Sequence, residues 1–370
     1  ILVALFLLSF ILFSFSKLKI ARIRLLSLIL ITGAIFLPLL SKAFYEREND
    51  LGKADINEGM IMVEFATKSL LLGKNPYSIS YLEAVKREKN EAGQKDYEIE
   101  DLKHIQYSPV VFWLTAPFFV VSQKLFDFFD LRIVLVTLFL ISALIGYQLT
   151  NRRILFLIIF LYNPVFLSSL ISGSNDVIPL TFIFLSLLLL KFSKITYATV
   201  ALSLAIGSKL IALPFAPIYF GYLLVRKSSP KGLVFKQFTL FIVLSLVIYL
   251  PFVIWNFDDF LSDLVIYQIA GCSMGKPISG FLGLPQLLNA FGLISKNSTF
   301  PFFVLFLPTY LVFLWFFLRF IKKSSDLSSL TAGYIFSLLI FLAFTRIVQT
   351  DYLAYISQFL VLFAFIESKS

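Results

Sequence analysis

The chain has 370 residues, of which 59% are hydrophobic and 15% charged, with a mean hydropathy of +0.88. A soluble fold of this size could not cover so much apolar surface; a single cysteine, Cys272, excludes a disulfide scaffold, and 17% aromatics exclude intrinsic disorder. The formal charge is +10, from 32 Lys and Arg against 22 Asp and Glu, and in so apolar a chain that excess marks cytoplasmic loops, not nucleic-acid binding.

The apolar residues fall in repeated blocks near helix-span length. The expected architecture is therefore an all-α integral membrane protein, a single polytopic helical bundle over residues 1–370 with about ten to twelve transmembrane helices. A β-barrel would show short alternating segments instead. The acids are unevenly placed: residues 41–106 hold 13 of them with 10 bases, and the rest of the chain holds nine. One segment is polar and the remainder is greasy.

In chain order, residues 1–16 form an apolar run slightly short for a span. They read as the inside of a helix of a longer protein and not as a signal peptide. Lys17, Lys19, Arg22 and Arg24 follow as a cytoplasmic cluster. Residues 25–44 then cross outward, and 41–106 form a long first external loop. Within it Met60, Val63, Ala66, Thr67 and Leu70 recur at helical spacing, which predicts an amphipathic interfacial helix ended by Gly73-Lys74-Asn75-Pro76-Tyr77. Residues 83–101 read as a charged, solvated stretch.

Two apolar runs follow, 110–121 and 133–149, where the positive-inside pattern demands an odd number of crossings before Arg152 and Arg153. One of the two is expected to be short, re-entrant or tilted. From there the pattern is regular. Lys191 and Lys194, then Arg226, Lys227, Lys231 and Lys236, then Arg319, Lys322 and Lys323 punctuate the apolar runs as cytoplasmic clusters. The alternate connections, 172–176, a turn near Lys209, 256–300 and 345–351, are then external.

Ionisable groups at the edge of such a bundle are the functional candidates, because burying them is costly. Asp55 and Glu58 are three residues apart, which would put both carboxylates on one face of the first external helix. They read either as helix N-terminal acids or as a general base facing a cleft; Glu64 is a weaker third candidate. Asn175 and Asp176 follow Ser172-Gly173-Ser174 in what is either an ordinary turn or a site edge. Lys209 stands alone between Gly207 and Pro214. It suits a phosphate, although a snorkelling lysine would look the same. Arg346 is a second isolated cation on the acid-rich side, with Asp351 as an alternative partner. His104, the only histidine, precedes Tyr107-Ser108-Pro109 and cannot by itself make a zinc site. Asp258, Asp259 and Asp263 could hold a divalent cation, though an external amphipathic turn explains them as well. No P-loop, GxGxxG or GxSxG is present, so nucleotide-driven pumping and triad hydrolysis have no support.

Taken in order, Asp55, Gly73 to Tyr77, Tyr107-Ser108-Pro109, Asn163-Pro164, Gly173 to Asp176 and Gly207 to Pro217 resemble a known pattern. It is that of the polyprenyl-phosphate-sugar-dependent glycosyltransferases of the GT-C superfamily, in particular the polyprenol-phosphate-mannose-dependent α-mannosyltransferases that include the GPI mannosyltransferase group. The likeness covers roughly residues 25–225. It implies a lipid-phosphate sugar donor, a glycan, glycolipid or protein acceptor, and inversion at the anomeric carbon on the external or lumenal face of a plasma or ER-type membrane. By the same resemblance Asp55 is the base, with Glu58 in reserve. Lys209 and Arg346 would hold the donor phosphate, and His104, Tyr107, Asn175 and Asp176 would hold substrate hydroxyls. The Asp-x-Asp common in the first loop of the GPI group is absent. Two rival readings are a lipid or solute transporter, which would often show internal repeats not found here, and an accessory subunit without chemistry.

Overall fold

The computed structural model describes residues 21–49, 56–89, 102–226, 230–267, 277–324 and 326–367. The expected apolar run at 1–16 and its basic cluster, apart from Arg22 and Arg24, lie outside these residues.

Sixteen α-helices are present among the described residues. In order they are α1 (Ala21–Asn49), α2 (Glu58–Leu71), α3 (Leu82–Lys89), α4 (Pro109–Phe126), α5 (Arg132–Leu149), α6 (Ile154–Leu161), α7 (Pro164–Ser172) and α8 (Val177–Lys191). There follow α9 (Ile195–Ser208), α10 (Phe215–Val225), α11 (Lys231–Trp255), α12 (Phe257–Leu261), α13 (Leu284–Ala290), α14 (Phe303–Ile321), α15 (Leu327–Phe344) and α16 (Thr350–Phe365). A π-helical turn, Ser262–Ile266, continues α12. The only strand pairing among these residues is a two-residue parallel contact of β1 (Ser279–Gly280) with β2 (Ile347–Val348).

The expected interfacial helix is α2. Asn57 caps it by accepting from Gly59 N, and Gly73, at φ +74°, turns the chain out of it. Between them α2 presents Met60, Val63, Ala66 and Thr67 inward, all fully buried. That is the spacing read from sequence.

Hydrogen bonds sort the helix ends into two poles. At one pole Lys191 Nζ donates to the carbonyls of Gln148 and Leu149, Arg153 and Asn151 meet Glu367, and Arg226 meets Ser193. At the other, which we call the upper pole, lie Asn57, Tyr107, Asp176, Lys209 and Asp351. The basic punctuation of the sequence therefore converges in space on one end.

Six helices, α1, α4, α5, α11, α14 and α15, are long and apolar enough to cross a membrane, and seven spans result if the bent pair α6–α7 counts as one. Four shorter apolar units, α8, α9, the segment Leu210–Val225 and α16, complete the bundle. However, α4 does not run from pole to pole. Its start is fixed where Ser108 N donates to Ser208 O, beside Lys209. Its end returns to the upper end of α1, where Ser122 bonds Phe128 O, Phe128 packs on Phe44, and Asp130 binds Arg47. Helix α4 lies along the upper pole against α2. This resolves the odd-crossing demand, since α5 alone crosses between Gln106 and Arg152. The pole-to-pole traverses among the described residues are α1, α5, α6–α7, α8, α9, α10, α11, α14, α15 and α16. By length and composition the described residues hold six or seven spans, fewer than the ten to twelve expected.

The interior is filled by aromatic rings. Phe139, Phe156, Phe160, Phe184 and Phe359 contact one another in a chain between α5, α6, α8 and α16. Helix lengths shape the upper surface. At about 1.5 Å per residue, α8 with 15 residues and α9 with 14 are shorter than the roughly 20 residues a bilayer requires. Helix α4 packs on both α2 and α9.

Candidate active site

The candidate site is built on two chain breaks. At the first, α7 ends at Gly173, whose φ of +96° suits glycine. A Cβ there would sit 2.4 Å from Met60 Sδ of α2, so the turn and the interfacial helix are in direct contact. Ser174, Asn175 and Asp176 follow and are all buried. At the second break, α9 stops and Lys209 takes an extended conformation, φ −156° and ψ 135°, before the chain resumes.

These breaks aim their side chains at one another. Lys209 Nζ lies 2.5 Å from Asp176 Oδ1 and 3.4 Å from Asn175 Oδ1. The rings of Tyr107 and Tyr352 flank the ammonium, with centroids at 5.7 and 5.9 Å. Asp176 sits where it could cap α8 but makes no cap bond, turning instead to Lys209. The amide of Asn175 is buried and faces the Tyr107 hydroxyl.

A third strand of contacts closes the cluster. Asp351, in the first turn of α16, accepts from Ser169 Oγ at 2.6 Å and from Asn57 Nδ2 at 3.3 Å. Asn57 N donates to Ser172 O at 2.7 Å. The start of α2 is thus pinned to α7 and α16, and Glu58, half-buried, follows immediately. Tyr107 fits tightly over this start: a Cβ on Gly59 would lie 1.8 Å from its hydroxyl oxygen. Tyr77, within the sequence step that ends the first loop helix, holds Tyr107 by donating to its carbonyl at 2.9 Å.

Asn175, Asp176, Lys209 and Tyr107 therefore come together as expected, and Glu58 stands at their edge. Asp55 lies outside the described residues. Helix α2 begins at Glu58. Arg346 is buried beneath the 294–300 loop, with Nη1 on Phe300 O at 3.1 Å and Nη2 on Ser298 O at 2.5 Å. It does not pair with Asp351, whose oxygens serve Ser169 and Asn57. His104 makes a 2.6 Å contact through Nδ1 with Asp263 Oδ1, and the second Asp263 oxygen accepts from Ile105 N. Burial pushes the Asp263 carboxyl up, with His104 pulling the other way. This pair ties the loop before Tyr107 to the π-helical turn and does not touch Lys209. Asp259 accepts from Asn256 Nδ2 at 2.6 Å. No group of three His, Cys, Asp or Glu side chains converges among the described residues.

Glu64, the third carboxylate considered, serves a different purpose. Arg47 grips both its oxygens, at 2.6 and 3.1 Å, and Leu131 N donates to it at 2.7 Å. Burial pushes this carboxyl up to about 7, against the pull of Arg47. A value near neutrality would suit a base, but geometry comes first and these oxygens are occupied.

Sequence reasoning missed Asn57 and gave Asp351 the wrong partner. Their contact joins residues 294 positions apart, and no local spacing announces it.

The family model for Glycosyltransferase family 87 matches residues 105–345. The chain belongs to that family. Within the match this family 87 chain carries Tyr107, Asn175, Asp176 and Lys209; Glu58 precedes it, and Arg346 and Asp351 lie just beyond. No curated protein matches the chain. Among solved structures it is similar to ArnT from Cupriavidus metallidurans bound to undecaprenyl phosphate, with 13% identity and a TM-score of 0.52. The alignment covers 91% of this chain and 59% of ArnT, so the chain spans under two thirds of that protein's length. At that identity the likeness establishes the fold, which is of the GT-C type expected from the sequence.

Proposed function

We propose that this family 87 glycosyltransferase moves a sugar from a polyprenyl-phosphate donor to a hydroxyl acceptor, at the external or lumenal membrane face. Mannose is the sugar that the sequence resemblance favours. The observation that carries the reading is Lys209, held by Asp176 and flanked by the rings of Tyr107 and Tyr352. A half-buried cation with fixed polar neighbours suits a lipid phosphate. The ArnT structure, of the same fold, was solved with such a lipid bound.

In the proposed reaction the acceptor hydroxyl gives its proton to a carboxylate as its oxygen attacks the anomeric carbon. The bond from that carbon to the phosphate oxygen breaks, and the polyprenyl phosphate leaves with one more negative charge. Lys209 stabilises that charge, and Asp176, its partner without donor, turns to a sugar hydroxyl. Asp55 is the proposed base. Asn57, two residues further on, is pinned to Ser172 and Asp351 at the cluster edge, and two residues reach at most about 7 Å. Glu58 is the reserve. Tyr107 supplies an aromatic wall. Arg346 and His104 support the reading differently from the sequence expectation, by holding the 294–300 loop and the segment before Tyr107.

The test is a donor screen with purified protein in proteoliposomes, using labelled polyprenyl-phosphate mannose, glucose and arabinose. Transfer from one donor is expected, mannose first. Lys209→Met should lower the rate about 10²–10³-fold and Asp55→Asn about 10²–10⁴-fold. Full activity in Asp55→Asn would remove it as base. Donor translocation without transfer would favour the transporter reading.

A further inference from the structure

On the far side of α7 from this cluster lies a cleft of about 270 Å³. Leu39, Ala43 and Glu46 line it from one stripe of α1, and Leu167, Ser168, Ile171 and Ser172 from one face of α7. Arg132, at the start of α5, is its buried end. The cleft has a structural cause. The chain bends by 51° between α6 and α7 at Asn163-Pro164. Helix α7 leans toward α16, where Ser169 meets Asp351. Helix α1 stays with α5, where Ala43 O accepts from Arg132. A gap is left between α1 and α7, and it opens beside Leu39, which is exposed on an apolar spanning helix.

The lining selects a kind of ligand. Arg132 directs Nε and Nη2 to Asp130, at 2.9 and 2.7 Å. Its Nη1 makes only a 3.4 Å contact with Ile171 O, at the cleft wall. Arg47 also binds Asp130, and Glu64 and Glu88 bind Arg47, so the two guanidinium charges are already matched. Glu46 adds a carboxylate to the lining, paired with Lys42 at 3.5 Å. An anionic head would meet no unmatched cation. A head of neutral hydroxyls would find a guanidinium N–H donor, a carboxylate acceptor and two serine hydroxyls. The volume is near the roughly 300 Å³ at which small-molecule sites begin, enough for one sugar ring and too small for a branched glycan. Leu39 and Leu167 suit an attached chain.

We propose that this cleft binds an amphiphile with an uncharged, hydroxylated head and an apolar chain, reaching the protein sideways from the membrane. It is separate from the Lys209 cluster, with α7 as the wall between them. The test is photolabelling of the purified full chain in nanodiscs with a diazirine-bearing octyl glucoside, and peptide mapping of the label. Saturable labelling of residues 39–46 and 167–172 is expected. Excess octyl glucoside should displace it at least tenfold better than octyl phosphate. Ser168→Trp, at an exposed position that lines the cleft, should cut labelling at least tenfold while leaving the thermal midpoint unchanged, and Leu39→Trp provides a second filling variant. Labelling spread over the protein, labelling indifferent to both variants, or equal displacement by octyl phosphate would overturn the proposal. The measurement requires no sugar transfer, so its failure and a failure of the glycosyltransferase mechanism are told apart.

Discussion

At the scale of single residues, two kinds of buried charge must be distinguished. Lys209 and Asp176 form a pair flanked by the rings of Tyr107 and Tyr352. Arg47, Glu64, Asp130 and Arg132 form a closed network in which donors and acceptors are matched. Burial pushes Asp130 up, but Arg132 and Arg47 more than offset it and hold its carboxyl below 3.8. Below that pH the folded state binds fewer protons there than the unfolded chain, so this stabilisation is lost as pH falls. Glu64, raised to about 7, behaves oppositely: its contribution is complete below its ordinary value of 4.5 and is lost as pH rises toward 7. Thermal midpoints measured against pH should therefore show Asp130→Asn removing part of the acid limb and Glu64→Gln part of the limb between about pH 4.5 and 7. At neutral pH Asp130→Asn should also destabilise by about 3–5 kcal/mol, because it leaves Arg132 buried with its charge uncompensated. Identical pH profiles in both variants and the parent would contradict this assignment. Lys209 was legible in the sequence because an isolated cation among apolar residues has few explanations. Asn57 was not, because an asparagine before a helix already has a sufficient local role as its cap.

At the scale of elements, the site depends on where helices stop. Helix α9 stops at Lys209, and the turn at Gly173 carries the polar residues into contact with α2. The sequence announced these breaks through Gly173 and Pro214, and it announced α2 through its apolar spacing. It could not place α4. An apolar run that lies along the interface and one that crosses have the same composition, and only Ser208 and Arg47, remote in sequence, show that both ends of α4 share a pole. Gly173→Ala tests the turn. The new Cβ would meet Met60 Sδ at 2.4 Å on a backbone of positive φ. A loss of about 1–3 kcal/mol is expected in unfolding measurements, with slower transfer as α2 moves away from Asp176. An unchanged midpoint would show that the turn tolerates a side chain there.

At the scale of the molecule, the chain has a basic pole, an apolar waist and an upper pole at which Lys209 meets Asp176. The hydropathy and charge pattern made this polarity legible, as well as the helical class. It did not reveal which acids meet, because that depends on the packing of α7 against α16 and α2. The central claim is that Lys209 and its neighbours form the seat of a lipid phosphate. Affinity for a polyprenyl monophosphate in detergent micelles, measured for the parent and for Lys209→Met, tests it most directly. A charge-assisted contact of this kind contributes about 1.5–3 kcal/mol, so a loss of roughly 10- to 100-fold is predicted; Asp176 loses its ion-pair partner, so the thermal midpoint should also fall and affinity is compared below both midpoints. Equal affinity in the two proteins would contradict it.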